Sequence, residues 1–292
     1  MPNSITKFKQ YITLLDEVYK LAAQTSILDG ASELARQGVN ANELVIPMIA
    51  MQGLAAYSRN GGYVSGDVTL TNQTKACNFD RGRMFVVDTL DNEETAGLAF
   101  GRLAGEFIRT KVAPEIDAFR ISTYAGVSGI STVAGAALAD GAAVIAALRA
   151  ATNKMDEDEV PYENRHLFIT PTLGALVDDL DTTKSKAVMG RFASTQRIPQ
   201  TRMYTAITQY DGTTEGQEAG GYIKNATTGK NINFLVVHKD AVIQYQKHIA
   251  PKIITPEQNQ DADAWKYGYR NVGIADAYQN KVAGIYLHKS TT

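Results

Sequence analysis

An α+β fold is what this sequence predicts, on three observations. Val68 and Leu70, then Phe85 and Val87, alternate with polar residues as half-buried strands do. Helical spacing follows in Phe100, Leu103 and Phe107 and returns in Leu138, Ala142, Ile145 and Leu148. No regular strand–helix–strand rhythm links these segments and no internal repeat is evident, which favours mixed helices and sheets over a doubly wound parallel sheet.

The 292 residues, 44% hydrophobic and 21% charged, are ordinary for a globular protein with one sizeable core or two linked ones. A net charge of -2 from 29 basic and 31 acidic side chains, without a run of Lys and Arg, argues against a dedicated nucleic-acid or anionic-membrane binder. Weak contact with DNA is compatible with it. Cys77 is the single cysteine, so no intrachain disulfide can form, as suits a reducing cytoplasm. Met1-Pro-Asn-Ser4 lacks the apolar core of a signal peptide, and the apolar run from Val133 to Ala151 is interrupted by Asp140 and Arg149, so neither secretion by that route nor a membrane span is expected.

Taken in order, Ile5, Phe8, Ile12, Leu15, Tyr19 and Ala22 fall on one helix face, with little nearby to pack on. Gln24 to Gly38 reads as an arm or linker. Val45 to Met51 is an apolar strand that Pro47 makes an edge. Arg59-Asn-Gly-Gly62 turns the chain into a long hairpin, its arms at Val68–Leu70 and Phe85–Val87 and its turn at Asp80-Arg81-Gly82. A two-stranded hairpin is marginal alone, so a second copy of the chain is expected to cover it.

Asp91 with Glu94 forms a capping box that starts a helix. Phe100, Leu103 and Phe107 are its buried stripe, while Gly97, Gly101 and Gly105 recur on an adjoining face. Each glycine costs roughly 1 kcal/mol against Ala, so three in register predict something packed close to this backbone. Pro114 interrupts the amide ladder and Ile116 and Phe119 resume the spacing, giving one kinked spine from Asp91 to about Ala125. Gly126 to Gly141 reads as a flexible boundary, Leu138 to Leu148 as a helix, and His166–Thr170 as a buried strand leading through Pro171 into a helix over Leu173–Leu180. Phe234–Val237 is a buried strand, Val242–Lys247 a short helix, and Trp265–His288 a terminal hairpin turning at Gln279-Asn280-Lys281.

Enzyme signatures fail. No glycines are spaced G-x-G, Gly229-Lys230 lacks the upstream glycine of a phosphate loop, and there is no G-x-S-x-G elbow. His166, His238, His248 and His288 never fall at helical metal-pair spacing. Asp156-Glu-Asp-Glu159 and Asp178, Asp179 and Asp181 close helices and read as solvated faces rather than cation sites. No catalytic, cofactor or metal residue is assigned.

Asn60-Gly-Gly-Tyr63, Gly66-Asp-Val-Thr-Leu-Thr71, Asp80-Arg-Gly-Arg83, Val87-Asp88, Asp91-Asn-Glu-Glu-Thr95, Pro114-Glu-Ile-Asp-Ala118 and Asn280-Lys-Val-Ala-Gly-Ile-Tyr286 run in order along the chain. Together they resemble the major capsid proteins of tailed bacteriophages, particularly of Gram-positive hosts. The resemblance implies the Hong Kong 97-type fold: an N-terminal arm (1–44), an E-loop region (45–90), a peripheral domain with the spine (91–135 and 256–292) and an axial domain (136–255). It implies a non-enzymatic shell subunit that partners itself in pentamers and hexamers, located in the virion capsid and in host cytoplasm during assembly. Further partners are a scaffold protein, a portal and packaged double-stranded DNA in weak non-specific contact, with no membrane. The chain begins at Met1 with its arm, which implies a separate scaffold or an upstream region outside this sequence. Subunit-interface candidates are Phe8, Ile12, Leu15, Val68, Leu70, Lys75, Asp80, Arg81, Arg83, Gly97, Gly101 and Gly105. Relatives also form Lys–Asn isopeptide links; Lys75 with Asn271 or Asn280 has the residue types, without an aligning motif or an identified Glu. An encapsulin-like compartment shell and a soluble enzyme with an unrecognised site are the alternatives.

Overall fold

The computed structural model describes residues 23–30, 36–37, 43–90, 98–133, 135–180 and 182–291. The capping box at Asp91 and the helix expected from Ile5 to Ala22 lie outside them. Helices and strands are mixed, as expected, and the described strands form four sheets.

The first sheet holds β1 (Arg36–Gln37), β2 (Glu43–Met51) and β3 (Val68–Ala76), all antiparallel. The hairpin is therefore β2 with β3, and the expectation that Val68–Leu70 pairs with Phe85–Val87 is wrong. β4 (Phe79–Asp88) follows β3 after two residues but joins another sheet, antiparallel to β12 (Ala264–Ala277), with β11 (Val242–Ile254) on the far side. Asp80-Arg81-Gly82 is strand, not turn. Gly82 serves a close crossing there: a Cβ at this position would sit 2.7 Å from the Tyr269 carbonyl. Among the described residues β1 pairs only with Leu44 and Val45 of β2, and Pro47 is exposed.

Under the β11–β12–β4 sheet runs the spine, composed of α1 (Leu98–Phe107), a π turn (Ile108–Val112) and α2 (Ala113–Ala125). Where a kink is expected, at Pro114, the structure has this π turn just upstream. Proline has no N–H for the carbonyl four residues back and its ring crowds that carbonyl, so the wider turn absorbs both. Ala104, Ile108, Val112 and Ile116 bury against Phe79, Tyr267 and Tyr269.

A five-stranded sheet forms the other half, in the order β5 (Ser131–Val133), β13 (Ile285–Lys289), β10 (Ile232–His238), β6 (Arg165–Ile169), β7 (Ser194–Arg197). Strand alternation sorts its two faces. Leu235 and Val237 meet Tyr124 of the spine, while Phe234 and Val236 meet α3 (Gly141–Glu157) and α4 (Pro171–Asp178). Each fully buried side chain of this kind contributes roughly 1.5–3 kcal/mol. Asp140 caps α3, its Oδ1 accepting from the Ala143 amide at 2.7 Å. α5 (Thr183–Met189) follows, and β8 (Ile207–Gln209) with β9 (Tyr222–Lys224) makes a separate small hairpin.

Four more expectations are corrected. Gln24–Leu28 is a docked 3-10 turn with Thr25 and Leu28 buried, not a linker. The Gly126–Gly141 stretch contains β5, parallel to β13. Val242–Lys247 is the start of β11, because its β-branched and amide side chains pair along β12 from Val242↔Ala277 onward. Trp265–His288 is not a hairpin: a 3-10 turn (Gln279–Gly284) carries the chain from β12 in one sheet to β13 in another. Strand pairing thus cuts across the expected domain ranges, since β11 joins the spine sheet and β13 the five-stranded sheet.

Candidate assembly surfaces

The β2–β3 ladder pairs Glu43↔Ala76 through Met51↔Val68, about 30 Å of strand at ~3.4 Å per residue. Its base is anchored. Ile46 is 4% exposed against Ile243 and Ile274, and Lys75 Nζ lies 2.8 Å from the Asp276 carboxylate. Its outer part is not covered: Ile49 is 60% exposed, Met51 71%, Val68 71% and Leu70 63%. Beyond them the loop 52–67 closes through a Ser58↔Gly62 bridge, with Tyr57 and Tyr63 edge-on at 4.9 Å and Leu54 fully exposed. Apolar area this contiguous on one projection marks an interaction surface.

The charged interface candidates already have partners in their own chain. Asp80 accepts from Nε and Nη2 of Arg270 at 2.8 and 2.6 Å, and that hydrogen bonding holds its carboxyl below the usual carboxylate range. Arg81 Nε donates to Glu115 Oε1 at 2.8 Å, and Arg83 Nη2 donates to the Glu218 carbonyl at 2.9 Å. Phe8, Ile12, Leu15 and Gly97 lie outside the described residues, as do the surroundings of Gly101. Gly105 has open space where a Cβ would go, so the close packing expected there is absent among the described residues. Asn271 is 1% exposed and Lys75 is engaged by Asp276, so the Lys75–Asn271 link has neither group presented; Asn280 is exposed.

A cluster that apolar spacing missed fastens residues 24–30 to the spine. Asp117, fully buried on α2, accepts from the Gln24 amide at 3.1 Å, the Thr25 amide at 3.0 Å, Thr25 Oγ1 at 2.7 Å and Arg202 Nη1 at 3.0 Å. Arg120 Nη1 donates to Thr25 Oγ1, and Tyr124 donates to Gln244 Oε1 at 2.7 Å. Gln244 Nε2 in turn donates to the Thr25 carbonyl and to Asp29. Burial pushes the Tyr124 hydroxyl far above its ordinary pKa, so it stays a donor. The signal was in the sequence, as the Asp of Pro114-Glu-Ile-Asp-Ala118.

A cleft of about 1020 Å³ lies between β4, the spine and the β8–β9 hairpin, walled by Phe85, Phe107, Tyr210 and Tyr222. Burial pushes the Tyr222 hydroxyl up to about 12, and it donates to the Thr201 carbonyl at 3.0 Å. Among the described residues no cluster of three His, Cys, Asp or Glu could hold a metal ion, and no helix is long and apolar enough to cross a membrane.

No family model matches the sequence, and no curated protein matches it. Solved structures do match. A chain of Mycobacterium phage Che8 is 13% identical with a TM-score of 0.60, covering 89% of this chain and 89% of that one. A capsid structure of Staphylococcus phage Andhra gives 10% identity and 0.56, covering 89% and 83%. A virus-like particle from Pyrococcus furiosus gives 8% and 0.58, covering 97% and 99%. At such identities the likeness is one of fold. The chain has the Hong Kong 97-type fold of phage capsid proteins.

Proposed function

We propose that this chain is the major capsid protein of a tailed bacteriophage, a structural rather than catalytic subunit. It assembles with its own copies into pentamers and hexamers of a shell around double-stranded DNA. The observation that carries this is the β2–β3 hairpin, read as the E-loop, whose base is locked into the subunit by Ile46 and Lys75 while its outer apolar face is exposed. Capsid structures among the matched folds support the same reading. The spine with the β11–β12–β4 sheet is the peripheral domain, the five-stranded sheet with its helices the axial domain, and the residues before Ala23 the arm. A scaffold and a portal are its assembly partners, the host cytoplasm its place of assembly and the virion capsid its destination. The sequence motifs point to a Gram-positive host. A compartment shell shares the fold and is not favoured by phage capsids predominating among the neighbours.

Expression with a candidate scaffold, followed by light scattering and negative-stain microscopy, tests this. Closed shells, tubes or capsomer rings are expected. A stable monomer at every concentration and salt, with scaffold present, would overturn it.

A further inference from the structure

The loop joining β8 to β9 has a composition that should leave it loose: Asp211-Gly-Thr-Thr-Glu-Gly-Gln-Glu-Ala-Gly-Gly221. Gly212, Gly216, Gly220 and Gly221 all take positive φ, conformations that glycine adopts without strain. Asp211 closes the first turn, its carboxylate accepting from the amides of Thr213 and Thr214 at 2.8 Å.

This loop nevertheless has a fixed seat on a distant part of the chain. Arg83 of β4 donates through Nη2 to the Glu218 carbonyl at 2.9 Å, and its Nη1 fills the space beside two of the glycines. A Cβ on Gly212 would stand 3.3 Å from that nitrogen, and one on Gly220 2.9 Å. Two strand positions away, Arg81 reaches the Gly221 carbonyl at 3.4 Å while its Nε holds Glu115 of the spine. Gln209, where the loop leaves β8, donates to the same Glu115 oxygen at 3.3 Å. The arginines of one strand thus bind the loop at its far end and the spine at its near end. The loop so held forms a wall of the aromatic cleft, contributing Tyr210, Gly212 and Gly220 to its lining.

We propose that residues 210–221 are a strap, locked by Arg83, which keeps the aromatic cleft partly closed and ties it to β4. β4 follows the E-loop strand β3 after only Cys77 and Asn78, so the strap's lock sits on the segment that any swing of the E-loop pulls first. The inference adds a conformational device to the capsid reading but does not depend on shells forming, because its test uses the isolated subunit.

Hydrogen–deuterium exchange on wild type, Arg83→Ala, Arg83→Lys and Arg270→Ala provides that test. Arg270 grips Asp80 on the opposite face of the same sheet and serves as the control. Loss of a solvent-exposed charge-assisted bond is expected to speed exchange of residues 210–221 about three- to ten-fold in Arg83→Ala. Arg83→Lys, which keeps a donor but not the fork, should fall between, and Arg270→Ala should match wild type there. Binding of an apolar-surface dye should rise with the same ranking as the cleft walls open. Exchange in 210–221 unchanged by Arg83→Ala, or raised equally by Arg270→Ala, would overturn the proposal. So would faster exchange spread over the whole subunit with a lowered melting temperature.

Discussion

Asp117→Asn isolates the fastening of the N-terminal segment to the spine, because it changes one buried atom's character without changing the side chain's shape. With Oδ1 kept toward Thr25, the amide and hydroxyl of Thr25 retain their acceptor. At the Oδ2 position an NH₂ would then face two donors, the Gln24 amide and the Arg202 guanidinium, now 3.1 and 3.0 Å away. Bonds to a charged partner contribute about 1.5–3 kcal/mol each, and breaking one side of a buried ion pair costs about 3–5 kcal/mol. Arg202 keeps some solvent contact, its side chain being 20% exposed against 0% for Asp117, so the lower part of that range applies. A loss of about 3 kcal/mol should lower the melting temperature by about 5 °C in a chain of this size. Circular dichroism melting measures this, and hydrogen exchange at Gln24–Leu28 should rise before any global loss. A variant that melts within about 2 °C of wild type with unchanged protection there would refute the assignment of Asp117 as the fastening point.

Three further outcomes are expected. Replacing residues 49–70 with a short Gly-Ser turn should leave a subunit that melts normally yet closes no shell. Removing Val68–Met84 should instead unfold it, because that cut takes more than half of β4 from the core sheet; circular dichroism and microscopy separate the two. Gly105→Ala should stabilise the subunit by up to about 1 kcal/mol, since none of the described residues opposes the added Cβ, and reduced assembly of that stabilised variant would place a neighbour against this face. His166, His238 and His288 are held below their ordinary pKa chiefly by burial. The folded state therefore binds fewer protons than the unfolded one below the ordinary histidine value, so stability should be flat above about pH 6.5 and fall as pH drops from there toward the folded values. Melts of wild type and His166→Gln from pH 8 to 5 check the sign.

Local patterns carried the elements and failed at their pairing. Val68–Leu70 and Phe85–Val87 were legible as strands because alternation is a property of one segment. Their pairing with each other was inferred from nearness in sequence, whereas each took a partner from elsewhere, β2 upstream and β12 about 180 residues on. Gly82 shows why the turn was misread: Asp-Arg-Gly is turn chemistry, but here the glycine answers the approach of the Tyr269 carbonyl, a contact that no local window contains. Val242–Lys247 is short enough for either period to fit, and only pairing with β12 decides it. α3, the strand at Leu167 and the Pro171 helix start were all legible, since caps and buried runs are local. Of the candidate site, the apolar face at Val68 and Leu70 was legible. The Asp117 cluster was not, because hydrophobic periodicity is blind to a charged residue that is buried with its partners.

The π turn between α1 and α2 gives the spine a property that neither half has. In a plain α-helix each residue turns the chain by about 100°, so residues four apart drift by about 40° around the axis at every step. Ala104, Ile108, Val112 and Ile116 are spaced by four and still share one buried cluster across the turn. The widened turn takes up the drift, so Ile108–Val112 acts as a phase corrector that keeps α1 and α2 facing a common sheet. The consequence is a sharp asymmetry in tolerance to length. One residue deleted within the turn restores a regular ladder yet rotates all of α1 about its axis, carrying Leu103 and Phe107 off the sheet they cover, while the same deletion beyond α2 would leave that alignment untouched.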